Sequence, residues 1–306
     1  MNILFYTAGD NGASWVDALA CELPHASISV WPQTKATIDY ALVWKPPPAM
    51  IAALSRARAV FNLGAGVDAI ADSPDWPPGV PLVRLEDAGM AEQMAEYVTY
   101  AALRCYREFG AYEAAQAAAQ WSVRPRLDKR TFGIGLLGMG MLGIHVARAL
   151  LGFGFPIMSC SRRRRELPGV TSFTADQLDI FLASCRVLVC MLPLTRLTRG
   201  LLDRDRLAQL PRGAFVVNVA RGALIVERDL IAQIDDGHLA GAMLDVFENE
   251  PLPAGHAFWH HPGITLTPHI CAVTSIAQSV EQIAAKIGRL EAGLPISGVV
   301  DAARAY

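Results

Sequence analysis

Thr131-Phe132-Gly133-Ile134-Gly135-Leu136-Leu137-Gly138-Met139-Gly140-Met141-Leu142-Gly143 is the stretch that decides the fold. Residues 131–137 form a short apolar run, the pattern of a buried strand. The amphipathic run 144–151 after it reads as a helix. Between them Gly138, Gly140 and Gly143 stand at the spacing G-x-G-x-x-G. Gly138 allows a tight turn, Gly140 lets the backbone approach a pyrophosphate, and Gly143 lets the helix pack close to the strand. The phosphates then rest on the helix start, where N–H groups and the dipole favour an anion. Met139, Met141 and Leu142 complete this loop as cofactor contacts.

Working outward, this unit opens the second of two βα series. Strands are expected at 131–137, 156–160, 186–192, 214–219, 240–244 and 263–267. The first series has strands at 2–7, 27–31, 40–44, 59–63 and 81–85, with helical patterns such as 15–23 and 49–57 between them. Alternating β and α elements point to α/β architecture, with parallel sheets covered on both faces. Residues 91–120 are alanine-rich and free of proline, which predicts one long helix suited to bridging two domains. The last helical segment, 272–292, is expected to return to the first domain. The expected domains are therefore 1–95 plus 275–306, and 96–274.

Bulk properties narrow the function. The chain has 306 residues, 52% hydrophobic and 18% charged, enough for about two domains. Its net charge of −2 supplies no global field for nucleic acid or an anionic membrane, and no apolar run approaches a membrane span. Cys21, Cys105, Cys160, Cys185, Cys190 and Cys271 are scattered, with no C-x-x-C pair. They predict a reduced, cytoplasmic protein with neither a disulfide framework nor a metal site.

The second strand of the glycine-loop unit ends Met158-Ser159-Cys160-Ser161, and Arg162 to Arg165 follow. An NAD site normally carries an acid there, for the ribose hydroxyls. Ser161 occupies that position instead. A small hydroxyl followed by arginines gives a 2′-phosphate space, no repulsion and bidentate donors. The loop would otherwise be only a solvated basic turn; its place at the strand end favours NADP(H), with Arg162 and Arg163 foremost and NAD(H) still possible.

Three polar residues lie just past the C-terminal ends of candidate strands, where an open α/β sheet binds ligands. Arg221 sits in Asn218-Val219-Ala220-Arg221-Gly222. Glu250 opens Glu250-Pro251-Leu252-Pro253. His269 follows Thr265-Leu266-Thr267-Pro268. A cation, a carboxylate and an imidazole there can hold an anion and move a proton. Trp44 and Lys45 end a strand, and Trp44 serves either a substrate pocket or the core. His260 and His261 read as surface residues and Cys271 as packing. Arg84 and Met90 are candidate cleft-wall residues.

With these motifs the chain resembles the D-isomer-specific 2-hydroxyacid dehydrogenases over nearly its whole length. The resemblance rests on the glycine loop, Leu192-Pro193-Leu194-Thr195, the Arg221 and Glu250 motifs, Leu244-Asp245-Val246-Phe247 and Pro268-His269. It also draws on Tyr40 to Trp44, Leu63-Gly64-Ala65-Gly66-Val67-Asp68, Arg84-Leu85-Glu86-Asp87 and Val300-Asp301-Ala302-Ala303-Arg304-Ala305-Tyr306. It implies two doubly wound parallel-sheet domains, a flavodoxin-like substrate domain and a Rossmann cofactor domain, with an interdomain cleft and a homodimer. It implies reduction of small 2-oxo acids, glyoxylate and hydroxypyruvate among them. Arg221 would hold the substrate carboxylate, His269 would donate the proton and Glu250 would fix the imidazole. Leu192, Pro193, Thr195, Val219 and Ala220 would line the cofactor site, Asp245 would orient the nicotinamide amide, and Gly64, Ala65 and Gly66 would bind carboxylate through backbone N–H groups. Trp121 would reach across the dimer. Two rivals remain: a dinucleotide sensor or corepressor without turnover, and a related dehydrogenase of different substrate preference.

Overall fold

Apolar runs too short for helices became the strands of two parallel sheets. The computed structural model describes residues 1–9, 11–71 and 73–301, so residues 302–306 of the C-terminal motif lie outside the described residues. The chain divides into two compact units, at Met90/Ala91 and Val273/Thr274, a few residues from the boundaries at 95/96 and 274/275 read from sequence.

The first unit contains β1 (Asn2–Thr7), α1 (Gly12–Glu22), β2 (Ser27–Val30), β3 (Tyr40–Trp44), α2 (Pro48–Ala53), β4 (Ala59–Asn62), α3 (Asp68–Ala71) and β5 (Leu82–Val83). The strands pair in parallel in the order β2-β1-β3-β4-β5, a flavodoxin-like arrangement. Tyr40, Ala41, Leu42 and Val43 are all buried, as a central strand covered on both faces requires. β5 is shorter than the expected 81–85 because Arg84 leaves the sheet to pair its N–H with the Gly298 carbonyl.

The returning segment of this unit forms the C-terminal helix Ile276–Glu291, capped by the Ser275 side chain. Val280, Ile283 and Ile287 share its buried face, the spacing of an amphipathic helix. Lys286 is buried on that helix, and its Nζ donates to Glu86 Oε2 at 2.9 Å; the Ser297 hydroxyl donates to the same oxygen. These contacts tie the strand edge, the helix and the C-terminal tail together.

The second unit begins with α4 (Met90–Tyr106) and α5 (Phe109–Ala117). The single helix expected over 91–120 is thus interrupted. Glu108 adopts a left-handed conformation (φ 53°), fixed by hydrogen bonds from the Arg124 guanidinium. Tyr106 packs edge-on against Phe132 and Phe155. Helix propensity alone favoured continuation, and tertiary packing overrode it.

There follow β6 (Ile134–Leu137), α6 (Met141–Leu151), β7 (Ile157–Ser161), β8 (Val170–Thr174), α7 (Leu178–Ala183), β9 (Val187–Cys190), α8 (Arg204–Ala208), β10 (Ala214–Asn218), α9 (Glu227–Asp235), β11 (Leu239–Leu244) and β12 (Ile264–Leu266). All pair in parallel, in the order β12-β11-β10-β9-β6-β7-β8. From the neighbours β6 and β9 the chain order runs in opposite directions, so the loops after both strands meet at the switch point. The edge strand β8 was not foreseen; its half-polar sequence, VTSFT, carries little apolar signal. Among the described residues no helix is long and apolar enough to cross a membrane.

Burial alone would raise the Glu86 carboxyl, but hydrogen bonds from Ser297 and Lys286 outweigh it and hold the group below its ordinary 4.5. A depressed folded pKa stabilises above the unfolded value, and that stability is lost as pH falls through the folded value. Urea midpoints of the wild type should therefore fall below about pH 4.5, and Glu86→Gln should flatten that part of the profile while lowering stability at neutral pH.

Candidate active site

At the end of β6 the chain turns through Gly138 (φ 115°), where a Cβ would lie 2.8 Å from the carbonyl of Met191. Only glycine fits, and the consequence is that the loop after β9, with Leu192 and Pro193, abuts the glycine loop. A Cβ on Gly143 would strike the Gly138 carbonyl at 2.5 Å, which accounts for the third glycine. At Gly140 a Cβ would meet no atom within 4 Å, so open space lies above the start of α6. That space and the N–H groups of an 11-residue helix fit a pyrophosphate. The Met139 side chain is buried in the core, which leaves only its backbone for a ligand, whereas Met141 is exposed.

Ser161 ends β7, and its hydroxyl donates to the Arg163 carbonyl at 2.7 Å. The hydroxyl thus shapes the turn that presents Arg162 and Arg163, both exposed. Beyond β9, Thr198 Oγ1 donates to the Pro193 carbonyl and accepts from the Thr195 N–H, making a closed turn at the glycine loop's neighbour.

Arg221 follows β10. The buried Asn218 prepares its backbone: Nδ2 donates to the Arg221 carbonyl at 2.9 Å and Oδ1 accepts from Ala220 N at 3.1 Å. Arg221 Nη1 donates to the Ala220 carbonyl. At Gly222 a Cβ would lie 1.9 Å from the carbonyl carbon of Phe247. The Arg221 loop is therefore pressed against the loop that carries Glu250.

Glu250 accepts from Phe247 N at 3.1 Å through Oε1, while Oε2 is 2.8 Å from His269 Nδ1. Paired with a carboxylate, Nδ1 carries the proton, which leaves Nε2 as the end able to exchange one with a ligand. The imidazole side chain is 43% exposed, so a ligand can reach it. Glu227 steadies the Glu250 loop, accepting from Glu248 N and pairing with His256 Nε2 at 3.2 Å. The three sequence-predicted residues are thus brought to adjoining loops at one sheet edge.

His269 itself has a left-handed backbone (φ 54°), which costs a non-glycine residue energy. Asp245, fully buried at the end of β11, holds it there. Its Oδ1 accepts from Thr267 Oγ1 (2.6 Å) and Ile270 N (2.8 Å), its Oδ2 from Cys271 N (2.9 Å), and its carbonyl from His269 N (2.9 Å). The sequence reading aimed Asp245 at the nicotinamide amide. In the structure its carboxylate also receives the donors of Thr267, Ile270 and Cys271. Cys271 packs in the buried core of the second unit, and burial pushes its thiol up, opposed by the charge of Arg221. His261 pairs with Asp235. Among the described residues no cluster suits a metal ion.

In the first unit, Asn62 Nδ2 donates to the carbonyls of Gly64 and Gly66 (2.9 and 2.8 Å), which fixes the Gly64-Ala65-Gly66 loop after β4. Trp44 is half-buried, and a Cβ on Gly64 would meet its ring at 2.5 Å. The indole therefore supports that loop. Asn218, Gly222, Thr267 and Glu227 are contributors whose roles the sequence reading missed. Asn218, Gly222 and Thr267 stood inside quoted motifs, but their partners are remote in sequence.

A phosphate-binding turn at the switch point, with an imidazole–carboxylate pair and a guanidinium on neighbouring strand ends, defines a dinucleotide-linked dehydrogenase. Residues 99–271 match the family described as D-isomer specific 2-hydroxyacid dehydrogenase, NAD binding domain. The chain is 45% identical, over 100% of both chains, to glyoxylate/hydroxypyruvate reductase A of Salmonella newport (strain SL254). A D-isomer specific 2-hydroxyacid dehydrogenase from Xanthobacter autotrophicus Py2, solved with NADPH and MES, superposes with a TM-score of 0.95 at 39% identity, covering 100% of this chain and 99% of that one. The NADPH-dependent glyoxylate/hydroxypyruvate reductase of Sinorhizobium meliloti, solved with NADP and sulfate, gives 0.93 at 34% identity with the same coverage. This chain belongs to the D-isomer specific 2-hydroxyacid dehydrogenase family.

Two glycines separate fold from binding. Gly222→Ala must displace backbone and should cost about 1–3 kcal/mol in urea unfolding. Gly140→Ala meets nothing in the protein; it should leave that stability unchanged while weakening dinucleotide binding measured by fluorescence.

Proposed function

We propose that this protein reduces small 2-oxo acids with NADPH, converting glyoxylate to glycolate and hydroxypyruvate to D-glycerate. The observation that carries this reading is the 2.8 Å pair of His269 and Glu250, one loop from Arg221. The names of the Salmonella and Sinorhizobium relatives support the substrate class. The complexes of two similar structures with NADPH or NADP support the cofactor.

NADPH, when bound, supplies hydride to the substrate carbonyl carbon. The chain does the rest. Gly138, Gly140 and Gly143, with Met139, Met141 and Leu142, hold the pyrophosphate on α6. Ser161 gives room for the 2′-phosphate, and Arg162 and Arg163 neutralise it. Leu192, Pro193, Thr195, Val219 and Ala220 line the remaining cofactor surface. Arg221 holds the substrate carboxylate in its planar fork and polarises the carbonyl. The backbone N–H groups of Gly64-Ala65-Gly66, backed by Trp44, bind carboxylate as an anion nest. His269 passes its Nε2 proton to the developing alkoxide, and Glu250 keeps the ring in the required tautomer.

The exposure of Trp121 (99%) and Val123 (82%) on the second unit supports a homodimer formed through that unit. Six free cysteines support a cytoplasmic setting.

A two-cofactor screen over glyoxylate, hydroxypyruvate, pyruvate and formate tests the proposal. NADPH with the first two substrates should give the highest kcat/KM. His269→Ala should lower kcat by about 10²–10⁴-fold while NADPH still binds. Background NADPH consumption over the whole panel, with tight cofactor binding, would mark a sensor instead. A second prediction concerns the cofactor: Arg162→Ala/Arg163→Ala should raise KM for NADPH at least about tenfold and leave that for NADH nearly unchanged. Equal kcat/KM for the two cofactors in the wild type would overturn the 2′-phosphate assignment.

A further inference from the structure

Tyr97 lies outside every motif that marks the site, on α4, 172 positions before His269 in the chain. Its hydroxyl is 2.6 Å from Thr267 Oγ1. Thr267 has one hydroxyl proton, and the geometry assigns it to Asp245 Oδ1, also at 2.6 Å. Tyr97 must therefore be the donor in its own contact. The resulting chain runs Tyr97 O–H to Thr267 O–H to the buried Asp245 carboxylate, and each link polarises the next. Burial pushes the Tyr97 phenol up, which keeps it a neutral donor.

One helical turn before Tyr97, on the same face of α4, Gln93 makes a second attachment. Its Nε2 donates to the Val273 carbonyl at 2.8 Å, and its Oε1 accepts from Val273 N at 3.1 Å. The segment from Thr267 to Val273 is thus fastened to α4 at both ends. Between these points lie the left-handed His269 and the backbone N–H groups that Asp245 receives.

We infer that Tyr97 is a positioning residue for the proton donor: acting through Thr267 and Asp245, it sets the backbone and ring direction of His269. The inference rests on the function proposed above for its kinetic consequence, though not for its structural one. The Tyr97 hydroxyl bonds to Thr267 rather than to His269 or Glu250, so its effect falls on the proton step and leaves cofactor binding alone. Removing the hydroxyl frees Thr267 to turn and loosens one of the hydrogen bonds that offset the left-handed residue.

The test compares Tyr97→Phe, Thr267→Val and Thr267→Ser with the wild type, in the full-length protein. Histidine is labelled with ¹³C at Cε1, and His269→Gln assigns the His269 signal. Tyr97→Phe and Thr267→Val should each shift or broaden the His269 signal and lower kcat for glyoxylate by about tenfold, the scale of one buried hydrogen bond. KM for NADPH should stay within about twofold, and Thr267→Ser, which keeps the hydroxyl, should recover most of both readouts. An unchanged His269 signal in Tyr97→Phe would overturn the inference, as would Thr267→Ser behaving like Thr267→Val. If the wild type reduced no 2-oxo acid, the proposed function would fail, and the NMR comparison would still decide the positioning role.

Discussion

Asp245 carries a charge into a place with no solvent and spends it on one loop. Its carboxylate receives Thr267 Oγ1, Ile270 N and Cys271 N, and its carbonyl receives His269 N. A left-handed non-glycine residue costs about 1–3 kcal/mol. Hydrogen bonds to a charged group contribute about 1.5–3 kcal/mol each, and the three that the carboxylate receives offset its burial as well as that strain. The loop so held points the imidazole at Glu250, 2.8 Å away. Preorganisation of this kind is worth more to a proton transfer than an additional flexible contact.

The same logic extends along the sheet edge. Asn218 shapes the loop before Arg221, Gly222 lets that loop press on Phe247, and Glu227 secures the residues around Glu250. Three consecutive strand ends, β10, β11 and β12, thus deliver a cation, a carboxylate and an imidazole to one place. On the other side of the switch point, the glycine loop after β6 leaves open space at Gly140. In the function proposed above, the sheet orders the chemistry by strand position: anion binding at one step, proton exchange a step or two further.

Much of this was legible in the residues because the decisive signals were local. The glycine spacing after an apolar strand, Ser161 at the acidic position, and three polar residues past apolar runs all survive as strand ends and loops in the structure. What was hidden depends on remote partners. The break near Glu108 came from Tyr106 packing on Phe132 and Phe155 and from Arg124, none of which alters the local alanine-rich pattern. β8 was hidden because an edge strand needs little apolar surface. Asp245 was assigned to the nicotinamide amide through the family resemblance; its bonds to residues 267–271 depend on remote partners that only the fold reveals. Tyr97 gave no signal at all, since a tyrosine in a helix is ordinarily a packing residue.

In the proposed function, His269 and a nicotinamide act on the same carbonyl. Reduction of glyoxylate with NADPH deuterated at the transferred position, followed by mass spectrometry of the glycolate, tests it most directly. The wild type should place deuterium at C2 of the product, and a His269→Ala variant that still binds the cofactor should give almost no labelled product. Unlabelled glycolate from the wild type, or undiminished labelling in the variant, would contradict it.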